Sequence, residues 1–176
     1  MRLMLLLCAA LLISVCAATT PAQAVQSIYT DISSEKCRTV KTQVEGAYAK
    51  LECPGMAGYK LILEDFDLRQ TITVIAPNGS KHQLNLGNTG GFSHVGKKAE
   101  WRVRNVGGKA VPFALILRFN ITENMNDSNK YSSYLTVSKI TPGKICTTDN
   151  RISPAAGANE AARRAADASA DKPCIE

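Results

Sequence analysis

Lys98, Arg102 and Arg104 alternate with Ala99, Trp101 and Val103, and Arg118 closes the next alternating run, Val111 to Arg118. Successive side chains on a strand point to opposite faces of the sheet. The three cations of the first run therefore share one face. Pairing Trp101 with Leu115 sets Ala99 against Leu117 and Val103 against Phe113, and brings Arg118 onto that same face. Four such cations suit an anionic ligand or partner. The plain alternative is a solvated sheet face, with Glu100 diagonal to Arg118 in this register.

Other chemistry is harder to assemble. The two histidines are His82 and His94, and no Gly-x-Ser-x-Gly elbow accompanies them. Ser93 adjoins His94, but adjacent residues on an extended chain point apart, so His94 reads as a surface-loop residue. Glu64-Asp65-Phe66-Asp67 offers oxygen ligands of the kind calcium takes, without the Asp-x-Asp-x-Asp-Gly spacing, and reads as a solvated turn. A metal set of His82, His94 and Asp65 or Asp67 has no spacing to support it. Gly87 to Gly91 lacks the Lys-Ser/Thr of a phosphate loop. No catalytic residue, metal ligand or cofactor is assigned from sequence, and the balance lies against an enzyme.

Met1-Arg2 precedes an almost wholly apolar run, Leu3 to Cys16, and Ala22-Gln23-Ala24 puts small residues where a signal peptidase reads. Residues 1–24 thus read as a cleaved signal peptide. The apolar run is shorter than the roughly 20 residues of a spanning helix, so no transmembrane anchor is expected after cleavage. Cleavage leaves a single domain over 25–176 and removes one arginine and no acid, so the formal net charge of +6 falls by one. A mild positive charge suits weak attraction to anionic surfaces. It is too small and scattered for nucleic acid. The expected location is periplasmic or secreted.

Cys37, Cys53, Cys146 and Cys174 survive cleavage. An even count in an oxidising compartment reads as disulfides. Residues 37–53 read as a hairpin whose three-residue loop is Val44-Glu45-Gly46, with Gly46 left-handed. That register sets Cys37 against Cys53 and leaves Cys146 for Cys174.

Further strands are expected over 59–64, 70–76, 82–86, 131–139 and 144–148, with Val74 opposite Leu84 and Ile72 opposite Leu86 across the Pro77-Asn78-Gly79-Ser80 turn. Residues 120–130 read as a polar loop. Ala158 to Ala170 is alanine-rich and predicts a helix over about 157–171, shallow on its apolar face and ended by Pro173. The fold expected is mainly β: a curled or sandwiched antiparallel sheet with one C-terminal helix and two disulfides.

Several pieces in order also resemble a group of small exported proteins of alphaproteobacteria that carries no assigned activity. They are Tyr29-Thr30-Asp31, Cys53-Pro54-Gly55 with Gly58-Tyr59, Gly96 with Ala99-Glu100-Trp101-Arg102, Pro112 to Arg118, and Cys146 with Ala161 to Asp167. The resemblance implies a periplasmic location and two disulfides, and brings no catalytic residue. The function expected is a non-enzymatic binding or interaction module of the cell envelope. Its partner would be an envelope protein or an anionic cell-wall or lipid component. An inhibitor of a cell-wall hydrolase, of the lysozyme-inhibitor kind, and a hydrolase with an unrecognised site are the alternatives.

Overall fold

A computed structural model describes residues 24–87, 90–122, 127, 130–153 and 155–175. All but the last residue of the proposed signal peptide, and much of the polar loop expected over 120–130, lie outside them. The strands are β1 (Val25–Asp31), β2 (Arg38–Gln43), β3 (Tyr48–Cys53), β4 (Lys60–Phe66), β5 (Arg69–Ile75), β6 (Lys81–Gln83), β7 (Ser93–Val106), β8 (Lys109–Ile121), β9 (Ser132–Ile140) and β10 (Ile145–Ile152). One helix, α1 (Ala158–Asp167), follows.

The strands form one ladder in the order β10-β9-β8-β7-β5-β4-β3-β2, with β1 also on β7 and β6 on β5. All pairings are antiparallel except a single parallel bridge, Arg69 to Ser93, between β5 and β7. At that weak joint the sheet curls, so that β2–β6 face β1 and β7–β10. The inward residues of both halves share one core: Leu61, Leu63, Ile72 and Val74 from one, Trp101, Leu115, Leu117 and Phe119 from the other. Trp101 is fully buried, and its indole N–H donates to Thr30 Oγ1 at 3.0 Å. At the far side Arg151 Nη2 reaches the Gly87 carbonyl at 3.2 Å and draws the two edges together.

The two disulfides join Cys37 to Cys53 and Cys146 to Cys174. The first arrives by a different local route than expected. The β2–β3 turn holds four residues, Val44 to Ala47, between the pair Gln43 and Tyr48. A bulge at Val40, between the pairs Thr39–Leu51 and Lys41–Lys50, absorbs the extra residue, so Arg38 still faces Glu52 and the cysteines still meet.

Other expected registers shift. Val74 faces His82, not Leu84, and Leu84 N–H bonds the Ile72 carbonyl at 2.9 Å. This slip of two residues preserves each side chain's face, so Leu84 and Leu86 remain buried. Trp101–Leu115 and Ala99–Leu117 pair as expected, but Val103 faces Pro112 rather than Phe113. Proline has no N–H to give the ladder, and the bulge here turns Phe113 outward. His94 lies in β7, not in a loop. The helix is shorter at its C-terminal end than expected, because the chain turns at Ala168 and carries Cys174 back to Cys146.

α1 packs on the outer face of β8 and β9. Ala162 and Ala166 are fully buried against Ala114, Ile116, Leu135 and Val137. The small alanine side chains let the helix lie close. They bury little apolar area, so the polar and covalent anchors described below matter.

Candidate functional site

The four sequence-predicted cations do not form one stripe. Arg102 lies beneath α1, 8% exposed. Its Nε and Nη2 donate to the Asp167 carboxylate at 2.8 and 2.7 Å, and its Nη1 donates to Ser27 Oγ at 2.7 Å. The polar face of β7 is therefore covered here, which corrects the picture of a solvent-facing patch through Arg102. Arg104 lies towards the other end of β7 and places its guanidinium 4.1 Å from the centre of the Phe113 ring. Glu100 is also buried. It is diagonal to Arg118 as expected, with Ile116 directly opposite, but its partners are Arg163 Nε at 2.7 Å and Ser27 Oγ rather than Arg118.

Lys98 and Arg118 do meet. Between the pairs Val95–Phe119 and Ala99–Leu117, the residues Gly96, Lys97 and Lys98 stand opposite Arg118 alone. This bulge bends β7 and displays both lysines beside Arg118. Gly96 is needed: a Cβ there would lie 2.9 Å from Arg118 Cβ. The first turns of α1 add Asn159 and Arg163, and β1 adds Tyr29. Together they line a cleft of ≈ 220 Å³ with Ile116 and Leu135 among its lining residues.

The charges of the cleft are unequal. Lys98 Nζ lies 3.0 Å from Asp31 Oδ2, and Arg163 is held by Glu100 and by the Tyr29 hydroxyl at 2.9 Å. Hydrogen bonds from the Ser33 side chain and backbone, then Lys98, hold the Asp31 carboxyl well below the usual carboxylate range. Glu100 and Tyr29 push the Arg163 guanidinium above its already high value, so it stays charged. Arg118 Nη1 donates to Ser133 Oγ at 3.0 Å. Among the described residues neither Arg118 nor Lys97 makes an ion pair; Lys97 acts on Glu35 only at longer range. Four cations thus face two acids that already have partners. Lys97 and Arg163 were not singled out from sequence. The Gly96-Lys97-Lys98 run inside a strand was the available signal for the first, since a strand glycine marks a bulge. Arg163 had none, because only the docking of α1 brings it near.

A larger groove of ≈ 490 Å³ lies on the outer face of β2–β6, where Val40, Ile62 and Ile75 stand between charged rows. Its carboxylates are neutralised. Lys60, then Arg38, holds Glu52 low, while the Tyr48 hydroxyl and then Lys50 hold Glu64 low.

The other candidates stay apart. Ser80 Oγ lies 2.8 Å from Asn78 Oδ1 and 3.0 Å from His82 Nε2, a polar cluster within the turn between β5 and β6. His94 packs edge-on against Tyr131, 5.3 Å between centres. Asp65 accepts from Gln70 and Asp67 pairs with Arg69, so the acidic run spreads over separate partners. Among the described residues no three His, Cys, Asp or Glu side chains converge as a metal site would require.

No family model, curated protein or solved structure matches this chain.

Proposed function

We infer that the protein is a non-enzymatic binding module of the cell envelope, periplasmic or secreted, that takes an anionic group in the cleft of Lys97, Lys98, Arg118 and Arg163. One observation carries the reading: the β7 bulge and the helix bring four cations around a concave site whose acids already have partners. The leader-like residues 1–24 and the two disulfides support an oxidising, extracytoplasmic setting. Lys97 and Arg118 are the cations without an ion pair among the described residues, with Arg118 steadied by Ser133; Arg163 fixes the cleft wall, and Lys98 can trade Asp31 for a ligand.

Calorimetric titration with inorganic phosphate and with glycerol phosphate tests this. Binding should weaken as salt rises. Arg118→Ala should weaken it about fivefold or more, the worth of one exposed charge contact of about 1 kcal/mol. Wild-type protein that binds neither anion, or an Arg118→Ala variant that binds both unchanged, would remove the reading.

A further inference from the structure

One end of the sandwich carries apolar side chains that the core does not use. Val44, in the β2–β3 turn, is 97% exposed, Phe66 and Leu68 are 61% exposed, and Tyr131 is 58% exposed. Backbone hydrogen bonds join these turns into one ridge. Asp67 N–H bonds the Ala47 carbonyl at 3.0 Å, Ser93 N–H the Leu68 carbonyl at 2.8 Å, and Thr122 N–H the Phe92 carbonyl at 2.8 Å.

Leu68 carries two costs there. It has φ +60°, after Asp67 at φ +49°, in the two-residue turn between β4 and β5. Asparagine and glycine are the usual occupants of such a turn. A leucine is strained in the left-handed region and leaves its apolar surface in water. A polar turn residue would avoid both costs. A setting that takes the side chain out of water accounts for the choice.

The charges indicate which setting. Of the acids at this end, Asp67 and Asp127 pair with Arg69 and Lys130 at 2.6 and 3.0 Å and Asp65 accepts from Gln70, while Glu45, beside Val44, stands exposed to solvent. Behind the ridge lies the cationic cleft, since Arg118 is three residues from the end of β8, roughly 10 Å along the strand. Apolar tips in front and cations a short way behind match the depth profile of a phospholipid surface: acyl boundary first, then phosphate. Tyr131, with an apolar ring and polar tip, suits that boundary. Separate protruding tips suit a fluid surface. A protein partner would call for a continuous, closely packed patch.

We propose that this end docks on an anionic phospholipid surface, with Val44, Phe66, Leu68 and Tyr131 entering the interface and the Lys97–Arg118 cleft taking a lipid phosphate. The second half of this statement rests on the anion-binding reading of the cleft. The apolar ridge stands independently of it.

The test is co-sedimentation of the exported, processed protein with phosphatidylcholine vesicles, with and without phosphatidylglycerol. Wild-type protein should sediment, and more so with phosphatidylglycerol. Leu68→Asn should lower partitioning about tenfold, the effect of keeping one leucine out of the apolar phase. Its Tm should not fall, because asparagine tolerates the left-handed turn. A leucine with only a structural role would lose Tm instead. Arg118→Ala should abolish the phosphatidylglycerol increment and keep the residual binding. Wild-type protein that stays in the supernatant overturns the docking, even if it captures a protein partner. So does Leu68→Asn that sediments like wild type. If phosphate titration still succeeds in those cases, the cleft reading survives; if wild type also fails to bind phosphate, both readings fall.

Discussion

Arg102→Ala separates a structural arginine from a binding one. The wild-type side chain is 9% exposed and grips the Asp167 carboxylate with two nitrogens, while a third bonds Ser27. Hydrogen bonds to charged groups each contribute about 1.5–3 kcal/mol, and those of one side chain are not additive. Asp167 is 38% exposed, so water can replace part of what it loses. The net cost should be about 2–3 kcal/mol. For a domain of this size about 1 kcal/mol shifts Tm by about 2–4 °C, so the drop should be roughly 5–10 °C. Calorimetric melting of Arg102→Ala, Asp167→Ala and the double variant gives both the drop and the coupling, expected at about 1–2 kcal/mol. A fall of less than about 2 °C in the single variant, with additive effects in the double one, would refute the claim that this pair fixes the helix. Arg118→Ala is the control: its stability should stay within about 0.5 kcal/mol of wild type.

Gly96→Ala should cost about 1–3 kcal/mol in denaturant unfolding, because the added Cβ forces the Arg118 stem to move, and phosphate binding should weaken with it. Ser169→Ala should raise stability by about 1 kcal/mol, since the Ser169 hydroxyl is fully buried and has no hydrogen-bond partner among the described residues. Stability should also fall in acid. Glu52, Glu64 and Asp31 are held below their ordinary values in the folded state, so their contribution is complete above the unfolded carboxylate range and is lost as pH falls through the folded values. A pH series of Tm should be flat from neutrality down to about 5 and decline below it; a Tm that rises on acidification would contradict the ion-pair assignments.

The sequence was most legible where one face alternates strictly. Ala99 and Trp101 against Leu117 and Leu115 left one sensible register over the middle of that hairpin, and it broke at two places, Pro112 and the Gly96–Lys98 bulge opposite Arg118. Face assignment survived even where pairing did not, because the β5–β6 slip was by two residues. Alternation says which way a side chain points, not what covers it. Arg102 and Glu100 point outward from β7, as read, yet become buried because a helix more than sixty residues later lies over them. β1 escaped notice because Val25 to Asp31 is mostly polar on both faces. Its pairing comes from the free edge of β7, and there it supplies Ser27 and Thr30 to buried Arg102 and Trp101, and Tyr29 to the half-buried Arg163. The cleft was half legible: Lys98 and Arg118 followed from strand register, whereas Lys97 needed the bulge and Arg163 the docked helix.

The grip of Arg102 on both Ser27 and Asp167 has a consequence for timing. The first partner lies 75 residues before it and the second 65 after. A chain that emerges N-terminus first presents β1 long before the strand it pairs with exists, and completes this clasp only when α1 is out. The sheet and its shared core can therefore form before the clasp, which then seats α1 on a surface already built.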